Sequence, residues 1–282
     1  MPVSAPSASP AAPAPEPPTR PNTVRLQVAA TGDLLIHSPI FNRALADGGG
    51  RRYEFRPMFR YLRAHLRPAD LAICHVETPM TRRPPSGYPS FNTPPGLARA
   101  IRSSGWDACS TASNHTLDQG QFGVDATIAA LNRVRHAGSA RSRAARRRPT
   151  ILNVKGLRVA LLSYTEHTNG IRLPRPWSVN VARADRILAE ARRARRAGAQ
   201  VVIVNVHAGD EYGHAPSAFQ RRLARALLRS RTITAVVGQH VHVVQPITRA
   251  AGRLVVYGEG NLISNQSAAC CPAATQDGLI AL

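Results

Sequence analysis

The stretch GQHVHVVQP, Gly238 to Pro246, places His240 and His242 one residue apart, directly after the apolar run Thr234–Val237. Residues i and i+2 of an extended chain face the same way, so both imidazoles can enter one cavity. Metal chelation is one use for such a pair, and two solvated loop histidines are the bland alternative. The choice depends on what the other histidines and carboxylates do. Seven of the ten histidines follow a short apolar run. Thr31-Gly32-Asp33 and then His37 follow the first such run, and His75-Val76-Glu77 the second. Ser113-Asn114-His115 comes after the third, Glu166-His167 and His207 with Asp210-Glu211 after later ones, and Glu259-Gly260-Asn261 after the last. Carboxylate, imidazole and amide oxygen together form a ligand set for zinc, manganese or iron, with thiolates missing from it. Two such ions about 3.5–4 Å apart can activate water and clamp a substrate oxygen. The sequence therefore predicts a centre holding two divalent ions. Asp118 and Asp125 read as capping or solvating residues of the following helix. His65, His136 and His214 read as surface residues.

Those residues need a frame that gathers strand ends. Strands are predicted over 24–30, 71–74, 108–111, 151–154, 158–163, 201–206, 234–237 and 254–257. Helices are predicted near 57–66, 95–103, 120–136, 182–197 and 217–230. Lys155-Gly156 reads as a tight turn between two strands, and Arg141–Pro149 as a basic loop. The helix over 182–197 puts Ile187, Leu188 and Ala191 on one face and arginines on the other. Alternating strands and helices predict an α/β layered fold, in which ligands bind beyond the carboxyl ends of the strands. A chain of 282 residues with 43% hydrophobic residues can build a sizeable core.

Composition narrows the function classes. No run of about twenty apolar residues is present, so no membrane helix is expected. Residues 1–22, rich in Pro, Ala and Ser, lack a basic start and an apolar h-region and read as a disordered tail or linker rather than a signal peptide. Residues 23–282 form the domain. The chain stops at Gly278–Leu282 within an apparent strand, which predicts that the C-terminal part of the domain is missing. The formal charge is +21, yet Lys155 is the one lysine among 37 basic residues and no aromatics are interleaved for base stacking. The arginines read as solvated faces or as a steering field for a polyanion, and nucleic acid is disfavoured. Cys74 and Cys109 lie in apolar runs and read as small core residues, and no C-x-x-C pair exists. The Cys270-Cys271 loop gives no redox reading.

The blocks GDLLIH, DLAICHVETPM, GWDACSTASNHTLDQG, HAGDEY, VVGQHVHVVQP and VVYGEGNLIS, in this order from about Thr23 onward, resemble the CapA (PgsA-like) family of capsule and poly-γ-glutamate biosynthesis proteins. That family is related to calcineurin-like metallophosphoesterases, so the resemblance implies a four-layer α/β/β/α sandwich with a two-metal site. It implies Asp33 and His242 on the first ion, Glu77 bridging, and Asn114, His207 and His240 on the second. His115 would be a general acid rather than a ligand. His37, His75, Glu166, His167, Glu211 and Asn261 would be substrate-facing or supporting positions. The family usually shows Asn-Leu-Glu where this chain has His75-Val76-Glu77. The implied function is a two-metal hydrolase or transfer factor for an anionic envelope polymer. A phosphoesterase for small esters and a non-catalytic subunit of a membrane synthase complex are the alternatives. The resemblance also implies a location in the cell envelope or outside the cell, associated with the membrane.

Overall fold

The computed structural model describes Met1 and residues 23–282. The tail expected over residues 1–22 is, apart from Met1, outside the described residues. In chain order the first half is β1 (Val28–Leu34), α1 (Ser38–Asp47), a 3-10 turn (Arg56–Phe59), α2 (Arg63–Leu66), β2 (Leu71–Val76), α3 (Gly96–Ser104), β3 (Ala108–Ser110), α4 (Gly120–Leu131) and β4 (Arg135–Ala137). The second half runs α5 (Arg143–Arg147), β5 (Thr150–Val154), β6 (Leu157–Thr165), α6 (Ala184–Arg196), β7 (Val201–His207), α7 (Ala218–Leu228) and β8 (Ala235–Gln239). It closes with β9 (Ile247–Ala250), β10 (Arg253–Val256), β11 (Asn261–Ile263), a second 3-10 turn (Ala273–Gln276) and β12 (Ile280–Ala281).

These strands make two sheets. The first has the order β11-β1-β2-β3-β4, with β12 pairing on β1, and the second the order β5-β6-β7-β8-β10-β9. Most pairs are parallel; the β5–β6 hairpin, the β9–β10 pair and β12 are antiparallel. A largely parallel sheet is stable when both faces are covered, and period-2 alternation shows how that is met here. Along β6, Val159 and Leu161 join Ala30, Ile73 and Val237 in a core between the sheets. Ala160, Leu162 and Tyr164 point the other way and pack on α6 and α7 through Ile187, Ala191 and Leu227. On the outer face of the first sheet, Ala72, Cys74 and Val76 meet Leu97 and Ile101 of α3 and Phe41 of α1. The result is the four-layer α/β/β/α sandwich that the resemblance implied.

Several elements differ from the sequence reading. The first strand begins later than expected and extends to Leu34, so Asp33 lies within it. The helix expected over 120–136 stops at Leu131, because Asn132 leaves the helical conformation with a positive φ of 35°. The chain then pairs as β4, which makes His136 a half-buried strand residue and not a surface one. The basic loop contains α5, whose first turn is capped by Ser142 Oγ accepting from Ala145 N at 3.1 Å. The helix expected over 57–66 is a 3-10 turn followed by the short α2. Cys74 and Cys109 are buried, but they are more than small core residues. They sit opposite each other across β2 and β3 and are joined in a disulfide.

Candidate metal centre

Asp33, at the heart of the centre, owes its position to an irregularity in β1. Ala30 pairs with Ile73 but Asp33 pairs with His75, so β1 carries one more residue than β2 over this span. Such a bulge re-aims the side chain that follows it. Gly32, just before it, is required by packing: a Cβ there would lie 2.0 Å from Gly260 O. Asp33 is fully buried and faces three histidines. His242 Nδ1 is 3.2 Å from Asp33 Oδ2, while His75 Nε2 and His207 Nδ1 are 3.7 and 3.8 Å from Oδ1. Glu77, also buried, lies 3.7 Å from His207 Nε2 and 3.8 Å from His242 Nε2.

The two histidines of GQHVHVVQP reach this cavity by a different route from the one expected. The strand ends at Gln239, and His240 and His242 have φ of 95° and 58°. They are therefore not alternate residues of an extended chain. Left-handed conformations at non-glycine residues cost about 1–3 kcal/mol each and persist where the surroundings impose them. Here they curl the loop inward, so that His240 N–H points at the Asp33 carboxylate, 3.2 Å from Oδ2. The rings end 6.0 Å apart between centroids, with His240 4.6 Å from His207.

Hydrogen bonding fixes which ring nitrogens carry lone pairs. Ser110 Oγ donates to Cys74 O, so it accepts from His75 Nδ1 at 2.7 Å, leaving His75 Nε2 as a bare acceptor aimed at Asp33. His207 Nε2 lies 2.9 Å from Asn114 Oδ1, an acceptor, so His207 Nδ1 is left bare. Asn261 Oδ1 lies 3.0 Å from His242 Nδ1, and its amide donates to Gln266 Oε1 and Thr275 O, which anchors that loop. His75 Nε2, both oxygens of Glu77, His207 Nδ1 and His240 Nδ1 are all buried without a hydrogen-bond partner. Buried acceptors are normally satisfied. Five unpartnered buried acceptor atoms gathered in one place are chemically suited to cations, with His240 N–H and His242 Nδ1 already turned to the Asp33 carboxylate. Among the described residues, three sets bring ligand atoms within 4.8 Å of one another: Asp33 with His75 and His207, Asp33 with Glu77 and His242, and Glu211 with His240 and His242.

Electrostatics agree with that reading. Burial, reinforced by neighbouring histidines, pushes His207 well below its usual range and His240 down to about 3. Burial takes His75 to about 4 against the pull of Asp33. These three imidazoles are neutral at neutral pH, the form that binds metal. Burial also opposes charge on His242, but Glu77 and Asp33 outweigh it and hold its pKa up at about 9. Burial raises Glu77 well above the usual carboxylate range, and the Asp33 charge adds to this. Asp33 itself is lowered: burial acts to raise it, but the hydrogen bond and charge of His242 prevail.

The remaining sequence candidates lie around this cluster. His115 is in a turn, not an extended segment, with Thr116 N–H donating to Ser113 O and Asp118 N–H to His115 O. Its Nδ1 is 2.8 Å from Asp118 Oδ2, which also accepts from Phe91 N. Asp118 is thus a buried partner of His115, not a cap or solvated residue; Gln119 is the N-cap residue of α4. His37 stands apart from the carboxylates, accepting from Asn265 N and packing edge-on to Phe91. Glu166 accepts from Gly209 N. His167 is exposed and meets the His240 ring edge-on, and Glu211 is exposed at the mouth. The sequence reading placed Glu259 after the last apolar run but gave it no role in the site. It is fully buried, takes a hydrogen bond from Gln239 Nε2 at 2.9 Å, and is pushed by burial up to about 8. Its signal was available: a glutamate in a glycine-flanked turn after an apolar strand.

A four-layer α/β/β/α sandwich with a carboxylate–histidine cluster where strands of both sheets end is a metallophosphatase-type architecture. The family is given by the sequence comparisons. A family model described as "Bacterial capsule synthesis protein PGA_cap" matches residues 27–266, and the chain belongs to that family. It is 25% identical over 228 residues to the capsule biosynthesis protein CapA of Bacillus anthracis, covering 76% of this chain and 55% of that protein. It is 25% identical over 223 residues to the PGA biosynthesis protein CapA of Bacillus subtilis, covering 74% and 57%. A probable polyglutamine synthesis accessory protein of Mycobacterium tuberculosis is 27% identical over 174 residues, 56% of this chain and 45% of that one. The chain spans about half the length of these relatives. Among solved structures, a 5'-nucleotidase precursor from Thermus thermophilus superposes with a TM-score of 0.47 at 18% identity, covering 82% of this chain and 48% of that one. The calcineurin-like phosphoesterase YfkN from Bacillus subtilis gives 0.47 at 16%, covering 80% and 74%. Likeness at this level speaks to neither substrate nor reaction.

Proposed function

We propose that this domain is a metal-dependent hydrolase or transfer factor of the cell envelope, acting on an anionic polymer such as poly-γ-glutamate. The observation that carries the reading is Glu77: a fully buried carboxylate with both oxygens unpartnered, within 4 Å of two histidines. Leaving such a group unsatisfied costs about 1–3 kcal/mol or more. A fold retains it where a cation compensates. Asp33, His75 and His207 would hold one ion and Glu77 and His242 a second, with Asp33 common to both groups, His240 beside the second, and Asn114 fixing the His207 ring. Divalent ions bound there supply Lewis acidity and lower the pKa of water toward neutral.

The chain's own groups do the rest. Asp118 accepts from His115 Nδ1 at 2.8 Å, which fixes the ring. His115 Nε2 then carries the proton that a departing amine or alkoxide needs. Phe91 packs edge-on against both His115 and His37, at 4.7 and 5.2 Å between centroids, and keeps that wall of the site dry. The rings of His207, His240 and His242 stand beside the Asp33 and Glu77 carboxylates.

An envelope location is part of the proposal. The relatives are named for capsule and poly-glutamate biosynthesis, and the Cys74–Cys109 disulfide suits an oxidising compartment. Among the described residues, no helix is long and apolar enough to cross a membrane. The deciding experiment joins elemental analysis to an activity screen. The purified chain, incubated with manganese or zinc, is expected to hold about two ions and to shorten poly-γ-glutamate. Less than about 0.2 ion per chain would refute the metal reading. Two ions with turnover of small phosphate esters alone would replace the substrate.

A further inference from the structure

Away from the metal centre, the short helix α5 stands over a run of cavities along one side of the sandwich. A cavity of about 140 Å³ lies against β4 and the middle of β6 and shares Arg146 and Glu190 with an open cavity of about 510 Å³ beside α6. On its other side it shares His136, Ala145, Arg148 and Thr150 with a third, of about 490 Å³. Together they form one furrow. Its lining holds eight arginines against a single carboxylate, Glu190. That carboxylate is already engaged. It accepts from Tyr164 Oη and from Arg146 Nη1 at 2.8 Å, with Arg193 Nη2 at 3.9 Å. None of Asp33, Glu77, His207, His240 and His242 lines it.

Two details make this more than a solvated basic face. Arg146 and Arg193 are half-buried and held by Glu190, so their guanidinium groups are positioned before anything binds. At the floor, Asn180 is 5% exposed, with its N–H on Gly138 O and its Nδ2 on Ser163 O. Its Oδ1 is buried without a partner. The furrow therefore offers fixed donors for carboxylates along its length and one buried acceptor that needs an N–H. Guanidinium groups bind carboxylates as charge-assisted forks. Phosphate polymers would satisfy the arginines but bring no backbone donor to Asn180. Nucleic acid would also look for successive aromatic platforms, and Trp177 is the one aromatic of the 510 Å³ cavity.

We propose that the furrow under α5 is a second binding site, separate from the metal centre, for a linear polyamide that carries carboxylates. The polymer class rests on the proposed function, whereas the site rests on the furrow alone. The site would retain a long chain while the metal centre meets one segment of it.

The test uses the whole chain, loaded with manganese, and fluorescently labelled poly-γ-glutamate read by anisotropy. Arg143, Arg147 and Arg186 line the furrow, are exposed and take part in none of the ion pairs of the described residues. The triple change Arg143→Gln, Arg147→Gln, Arg186→Gln is expected to weaken binding at least about tenfold and to flatten its salt dependence. Metal content and turnover of a small test ester should stay at the wild-type level. His240→Ala should lose metal yet keep polymer affinity. Polyacrylate, which has the carboxylates but no N–H, and single-stranded DNA of matched charge should both compete less well than unlabelled poly-γ-glutamate. Unchanged affinity in the triple variant, or loss of affinity in His240→Ala, overturns the site. Equal competition by polyacrylate or DNA overturns the ligand class. If the polymer binds here but is never cleaved, the proposed hydrolytic function fails and the site stands.

Discussion

Replacing Glu77 by glutamine tests the claim that the cluster is built around absent positive charge. Without metal, the site holds the carboxylates Asp33 and Glu77 against one imidazolium, His242, whose closer partner is Asp33 at 3.2 Å. Glu77 is the uncompensated member, and burial raises its pKa well above the usual value. A carboxylate whose folded pKa is raised is a burden above its unfolded pKa, and the burden grows as pH rises toward the folded pKa. Glutamine keeps the shape and removes the charge. In EDTA, Glu77→Gln should therefore be more stable than wild type at pH 8 by about 1–3 kcal/mol, the cost of an unsatisfied buried group. Near pH 4.5 the advantage should vanish. With manganese present the ranking should invert, because wild type gains about 2.7 kcal/mol at a hundredfold excess over Kd and the variant does not. Urea denaturation at both pH values, with and without metal, reads all four states. A variant less stable than wild type in EDTA at pH 8, or one that gains as much from manganese, would refute the reasoning.

His240→Ala and His242→Ala should each lower bound metal and activity together, measured by elemental analysis alongside turnover. If metal stays while activity falls, the ring concerned is not a ligand. His115→Ala should keep its metal and lose roughly 10²–10⁴-fold in rate, the worth of a general acid, and the loss should shrink with good leaving groups. Loss of metal equal to that in His240→Ala would make His115 a ligand. Glu259, held up at about 8 by burial, is protonated in the fold at neutral pH but ionised when unfolded. Stability of the metal-free protein should thus fall between about pH 4.5 and 8, by up to about 1.4 kcal/mol per unit. Glu259→Gln should flatten that slope in denaturation curves, and an unchanged slope would assign the titration elsewhere.

The layered fold was legible because long apolar runs alternate with amphipathic helices, as in β6, β7 and α6. The elements that escaped were short or decided by contacts distant in sequence. β4 is three residues whose reason to be a strand is β3 beside it. β11 and β12 exist because β1 offers an edge to each. The disulfide was hidden for the same reason: Cys74 and Cys109 are 35 residues apart, and the β2–β3 register makes them neighbours.

At the site, residue types were readable and geometry was not. That Asp33, Glu77, His207, His240 and His242 belong together followed from their shared place after apolar runs, and the structure gathers them into one cavity. Strand periodicity gave a wrong account of how His240 and His242 get there. The left-handed turns that aim them cost energy locally, and no propensity of histidine would forecast them. His75 shows the converse. The sequence reading put it among the substrate-facing or supporting positions and not among the ligands. Yet Ser110 takes its Nδ1 proton and leaves Nε2 facing Asp33, as bare as the corresponding nitrogen of His207. The spacing of histidines along a chain reports which side chains can meet. Which nitrogen carries the lone pair is decided by the second hydrogen bond on each ring, and that partner comes from another strand.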